Sequence, residues 1–204
     1  KENPVKLWLN DYDQSGTMDQ FLTRTVAENK NKRDMPVFLK REITEQFPAL
    51  KKENLKHSEY AKKSIQELFS KELISKSTQK TFNYCQSVVA INEGNGKFRV
   101  EPLPQQVQLS GVNAIALTDL NNDNRPDIVM GGNKFGFPPQ FGRLDASYGH
   151  VLMNESNSNN LKLSYIEPKQ SGMLIRGEVK DIKVIGSYIV AVINNDRPVV
   201  YQLN

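Results

Sequence analysis

The sequence predicts a mainly β protein built from repeated antiparallel strands, with one helical segment inserted. A short strand arriving at an aspartate recurs three times, and Gly/Asn-rich turns join neighbouring strands. Between residues 35 and 80 the apolar spacing changes from alternation to helical intervals.

Copy one begins at Leu7-Trp8-Leu9-Asn10-Asp11, copy two at Ile115-Ala116-Leu117-Thr118-Asp119, and copy three at Val179-Lys180-Asp181-Ile182-Lys183-Val184. In the first two a polar Asp/Asn loop follows, then a second strand, Gln20 to Val26 and Ile128 to Gly131. In copy three Gly186-Ser187 turns directly into Tyr188 to Ile193. Copy one is expected to continue through Ser87 to Ile91, the turn Asn92-Glu93-Gly94-Asn95-Gly96, and Lys97 to Val100, because Gly and Asn supply the positive φ of a tight hairpin. Copy two continues through Val151-Leu152-Met153, the polar run Asn154 to Asn160, and Leu161 to Ile166. Each full copy thus holds about four strands, the content of one propeller blade, and the chain holds about two and a half. The expectation is a partial β-propeller, with residues 1–204 as a single repeat domain.

The copies differ in length. Asp11 to Asn92 covers 81 positions and Asp119 to Asn154 only 35, and the excess of 46 matches Met35 to Lys80. There Phe38, Ile43 and Phe47, then Tyr60, Ile65, Leu68 and Phe69, recur at helical spacing. Pro36 and Pro48 suit helix starts, and Ser58 and Ser64 suit caps. Residues 35–80 read as a helical insertion within the first blade.

Two loops carry chemistry: Asp11-Tyr12-Asp13-Gln14-Ser15-Gly16-Thr17-Met18-Asp19 and Asp119-Leu120-Asn121-Asn122-Asp123-Asn124-Arg125-Pro126-Asp127. Each places oxygen side chains at loop positions 1, 3, 5 and 9. Calcium takes about 6–8 oxygen ligands, and a tight loop that turns alternate side chains inward supplies most of them. The candidate ligands are Asp11, Asp13, Ser15 and Asp19 in one loop, and Asp119, Asn121, Asp123 and Asp127 in the other. Thr17 and Arg125, at position 7, contribute backbone carbonyls. Gly16 and Asn124 tolerate the turn. An EF-hand would need Glu at position 12 between helices, whereas Leu22 and Met130 stand there between strands. Magnesium fits less well, because it requires strict octahedral geometry. The alternative is an Asx-rich turn that holds itself without metal. Two calcium sites are expected.

The formal charge is +4, but residues 30–80 hold 13 Lys/Arg against 7 Asp/Glu at mixed helical spacing. That pattern describes a solvated helical face rather than a nucleic-acid surface. No apolar run approaches the roughly 20 residues of a membrane helix. Cys85 is the single cysteine, which removes internal disulfides and cysteine zinc sites; its apolar context, Tyr84 to Ile91, suggests a packed thiol. His57 and His150 have no nucleophile motif beside them, and no phosphate or dinucleotide fingerprint occurs, so no enzyme is expected. Residues 133–150 interleave Phe135, Phe137, Phe141 and Tyr148 with Arg143 and Asp145, a candidate ligand-binding surface unless those aromatics fold back on the scaffold.

The two Asp loops, the Gly-Asn-Gly-Lys-Phe hairpin at 94–98 and the threefold pattern together resemble FG-GAP/VCBS repeat proteins, calcium-binding β-propellers related to integrin α-subunit heads. Gln140 to Ser147 and the helical insertion look like exported multi-repeat members from Bacteroidetes. The resemblance covers nearly all of the chain outside roughly 35–80 and implies an extracellular, cell-surface or periplasmic location. It implies a binding or scaffolding module for a protein or glycan. A secreted polysaccharide-acting enzyme with its catalytic residues in other blades is the alternative. Because Lys1 opens in mid-pattern without a signal peptide and propellers have about 4–8 blades, the chain reads as the C-terminal part of a longer protein. Exposed edge strands would allow self-association.

Overall fold

The computed structural model describes residues 3–28, 31–138, 142–157 and 160–203. The fold is mainly β, with four antiparallel sheets, none closed into a barrel. The chain divides into two compact units, residues 1–85 and 86–204.

In the first unit β1 (Val5–Asn10) and β2 (Asp19–Glu28) form a hairpin flanked by β3 (Asn31–Pro36) and β4 (Thr78–Phe82), in the order β3-β2-β1-β4. Between β3 and β4 lie five short helices: α1 (Lys40–Gln46), α2 (Pro48–Glu53), α3 (His57–Tyr60), α4 (Ile65–Leu68) and α5 (Lys71–Lys76). Pro48 occupies the first helical turn of α2, where its missing N–H costs nothing. Ser64 precedes α4, and its N–H and hydroxyl both donate to Glu67 Oε2. Pro36 ends β3 rather than opening a helix, and Lys56, not Ser58, stands at the N-cap position of α3, where its N–H donates to Glu59 Oε2. The cross-strand pair Trp8–Phe21 points at the helices, so Ile43, Phe47, Leu50, Tyr60, Ile65 and Leu68 close one core over the sheet. Trp8 Nε1 donates to Thr23 Oγ1 at 2.9 Å, satisfying the one polar atom of that side chain.

Among the described residues the second unit contains three sheets, and β5 (Val88–Gly94) and β6 (Lys97–Pro102) pair with each other alone. The sequence reading assigned these strands to copy one; in the structure their places beside β1–β2 are taken by β3 and β4. After a 3-10 turn at Gln105–Leu109 come β7 (Val112–Thr118), β8 (Asp127–Gly132), β9 (His150–Asn154) and β10 (Leu163–Ile166), a four-stranded meander. The short helix α6 (Pro168–Ser171) leads to β11 (Val179–Ile185), β12 (Tyr188–Ile193) and β13 (Val199–Gln202), a three-stranded meander. The two meanders share a core in which Ala114, Val129 and Val151 meet Val179, Ile182, Ile189 and Ala191. Glycine at 131 permits that approach, since a Cβ there would come within 2.7 Å of Val179 Cγ1. Cys85 is exposed, contrary to the packed thiol expected, because β5 begins only at Val88 and residues 83–87 run outside any element.

Candidate metal centre

Both Asp-rich loops connect the strands of a hairpin, β1–β2 and β7–β8, and both are held by the same hydrogen bonds. Counting Asp11 and Asp119 as position 1, the first carboxylate accepts the N–H groups of positions 5 and 6. Ser15 N donates to Asp11 Oδ1 at 2.9 Å and Gly16 N to Oδ2 at 2.8 Å. Asp123 N donates to Asp119 Oδ1 at 3.1 Å and Asn124 N to Oδ2 at 2.7 Å. Position 3 also accepts from position 5, Ser15 N to Asp13 at 3.0 Å and Asp123 N to Asn121 at 3.2 Å. The position 9 carboxylate reaches back to the N–H of position 2, Tyr12 to Asp19 at 2.9 Å and Leu120 to Asp127 at 2.8 Å.

The backbone explains why. Positions 4 and 6 are left-handed in both loops, with φ of 60° and 85° at Gln14 and Gly16 and 61° and 64° at Asn122 and Asn124. These bends aim consecutive N–H groups inward. The sequence identified position 6 but not position 4, where Gln14 does not mark the left-handed region although Asn122 in the second loop does.

Position 2 anchors each loop to a core. Tyr12 is buried with its ring 4.4 Å from that of Phe69, and its hydroxyl lies 2.8 Å from Ser77 Oγ. Leu120 packs against the core shared by the two meanders. The closing carboxylates are buried, Asp19 at 8% exposure and Asp127 at 0%. Their second oxygens differ in partner. Asp19 Oδ1 accepts from Gln46 of α1 at 3.1 Å, so the helical segment reaches its loop. Asp127 Oδ1 accepts from Asn154 N of β9 at 2.7 Å.

Two oxygens sharing a calcium ion at about 2.3–2.6 Å lie at most about 5 Å apart. One carboxylate oxygen from each of Asp11, Asp13 and Asp19 lies within 4.8 Å of the others, a spacing that could hold a metal ion. Each carboxylate has about four acceptor positions, so its hydrogen bonds leave lone pairs over. The Ser15 hydroxyl and N–H hold the Asp13 carboxyl below its usual range, keeping it ionised. Thr17 Oγ1 lies 2.7 Å from Ser15 Oγ, which leaves the Thr17 side chain beside the ligand at position 5.

The second loop is more self-satisfied. Asp123 Oδ2 accepts from Asn121 Nδ2 at 2.8 Å and from the Arg125 guanidinium at 2.7 Å. Asn121 and then Arg125 lower the Asp123 pKa, although the little burial there opposes them. A cation bound here would displace an arginine that has no counterpart in the first loop.

The aromatic segment is partly described. Phe135 lies under the Arg143 guanidinium, 3.9 Å from its ring centroid, a cation–π stack. Phe137 and Tyr148 are exposed, as is Asp145, while Phe141 lies outside the described residues. Within this segment is a contact that the sequence does not reveal: Ser147 Oγ lies 3.1 Å from His150 Nε2. Both side chains are buried, and His150 Nδ1 has no hydrogen-bond partner among the described residues. His57 stands in α3, away from that pair in sequence and in the other unit. No helix is long and apolar enough to cross a membrane among the described residues. In comparisons with known proteins, no family model, no curated protein and no solved structure matches the chain.

Proposed function

We propose that the chain is a calcium-binding module of FG-GAP/VCBS type, in which two loops each hold one Ca2+ and the repeated sheets present a surface to an extracellular protein or glycan. The observation that carries this reading is the first loop, where three carboxylates converge within 4.8 Å on a backbone that already directs them inward. The same hydrogen-bond scaffold recurs in the second loop, which supports a shared role. In this reading the ion ties each hairpin turn to the core through Tyr12 or Leu120, and it acts as a structural staple rather than a catalyst. The exposed aromatics Phe137 and Tyr148, with the Phe135–Arg143 stack, are the surface offered to a ligand. Export and a binding rather than enzymatic role follow from the family resemblance and belong to this proposal.

Calorimetric titration tests it. Calcium should bind with a stoichiometry approaching two, the first loop more tightly, and magnesium far more weakly. Asp13→Ala should remove the tighter site and Asp123→Ala the weaker. Absence of heat across millimolar calcium would mean that both loops are self-held turns.

A further inference from the structure

The two meanders of the second unit differ by one strand, and the space beside the shorter one is open. In the four-stranded meander β10 covers the outer edge of β9, pairing Leu163 with Asn154 and Ile166 with Val151. In the three-stranded meander nothing pairs with the outer edge of β13 among the described residues. Next to that edge runs an apolar groove of about 290 Å³, lined by Met153, Ile166, Met173, Tyr201 and Leu203. Its volume is at the lower end of the roughly 300–1,000 Å³ of small-molecule pockets, and it also has room for side chains entering from a strand. The edge itself, Val199-Val200-Tyr201-Gln202, is short, but it carries no charge and its pairing with β12 shows no bulge, so neither of those devices guards it against pairing.

The same unit contains a strand with the complementary pattern. β6 pairs with β5 on one side only, and a two-stranded ribbon is marginally stable alone. Along β6, Phe98 and Val100 lie on one face and are 60% and 50% exposed, while Lys97, Arg99 and Glu101 alternate with them on the other. A strand of this kind, laid along β13, would put its apolar residues into the groove and its charges in water.

We propose that the β13 edge and its groove accept the β6 strand of a second copy of this chain, so that the β5–β6 ribbon of one copy completes the three-stranded meander of the next. The contact is heterologous: donor and acceptor are different surfaces, so copies add head to tail rather than closing as a twofold dimer. This inference does not rest on calcium.

Sedimentation velocity from micromolar to near-millimolar protein reads the association directly. The wild-type chain should form species that lengthen with concentration. Phe98→Asp, on an exposed side chain, should weaken association by about tenfold or more. Leu203→Asp should do the same from the acceptor side. Mixed in equal amounts, the two variants should stop at a heterodimer, since only one intact donor meets one intact acceptor. Should Leu203→Asp not fold, a peptide of residues 96–103 added to the wild type should inhibit association. A wild type that stays monomeric, a Phe98→Asp variant that associates normally, or a peptide or mixture without effect would each overturn the proposal.

Discussion

Replacing Arg125 with alanine should tighten calcium binding at the second loop. The guanidinium donates to Asp123 Oδ2 at 2.7 Å, and the two side chains are 46% and 23% exposed. An ion pair this open to solvent is weak. A calcium ion entering the loop must break that pair and displace a like charge, so removing the arginine should tighten Kd a few-fold, up to about fivefold. Position 7 is expected to ligate through its backbone carbonyl, so alanine leaves the donor set intact. Titration calorimetry in an Asp13→Ala background isolates the second loop. The reciprocal change, Thr17→Arg, should weaken the first loop by a similar factor. A Kd that is unchanged or weaker in Arg125→Ala would refute the reasoning, because it would mean that the arginine does not compete for the site.

Other expectations follow from the same geometry. Asp127→Ala leaves the part-buried N–H groups of Leu120 and Asn154 without their acceptor, so it should destabilise the second unit by about 1–3 kcal/mol even in EDTA. Asp123→Ala, at the open side of the same loop, should match the wild type in EDTA and lose only the calcium increment; chemical denaturation separates the two. Burial pushes the His150 pKa below its ordinary value of about 6.5. The unfolded chain therefore binds the proton first as pH falls, so the second unit should be fully stable above that pH and weaken below it, and His150→Gln should flatten the urea midpoint against pH. Glu67 is held at about 2, chiefly by the Ser64 N–H and then by Arg33. Its contribution to the first unit should persist above the ordinary carboxylate range and fade as pH drops toward 2, an effect absent in Glu67→Gln.

What the sequence made legible follows from which interactions fix each part. β7, β8, β9, β11 and β12 carry apolar residues suited to the shared core, and the turn at Gly186 joins two such strands directly. Ile43, Phe47, Ile65 and Leu68 at helical spacing mark a face that has to be covered, and Trp8 and Phe21 cover it. β3 and β4 were not legible. β3 reads Asn-Lys-Arg-Asp-Met-Pro, and its buried Asp34 is held by Lys6, Thr25 and Gln66 rather than by apolar contact. Every residue of β4 is exposed, so its place at the sheet edge leaves no alternation to detect. That is why the β5–β6 ribbon, with its strong turn signal, was assigned to the wrong sheet. In the loops the spacing of aspartates was legible, because oxygen at alternate positions is a local pattern. The competition from Arg125 and the reach of Gln46 to Asp19 depend on side-chain geometry that spacing does not encode.

If calcium staples these hairpins, as proposed, the thermal unfolding midpoint should differ between EDTA, calcium and magnesium. At a free calcium concentration of about one hundred times Kd, an ion that binds only the folded state adds about 2.7 kcal/mol. For the unit of residues 1–85 that corresponds to a rise of about 10–20 °C. Calcium should produce this rise, magnesium little of it, and Asp13→Ala none of it in that unit. A midpoint that stays fixed across millimolar calcium would contradict the account and leave both loops as turns that hold themselves.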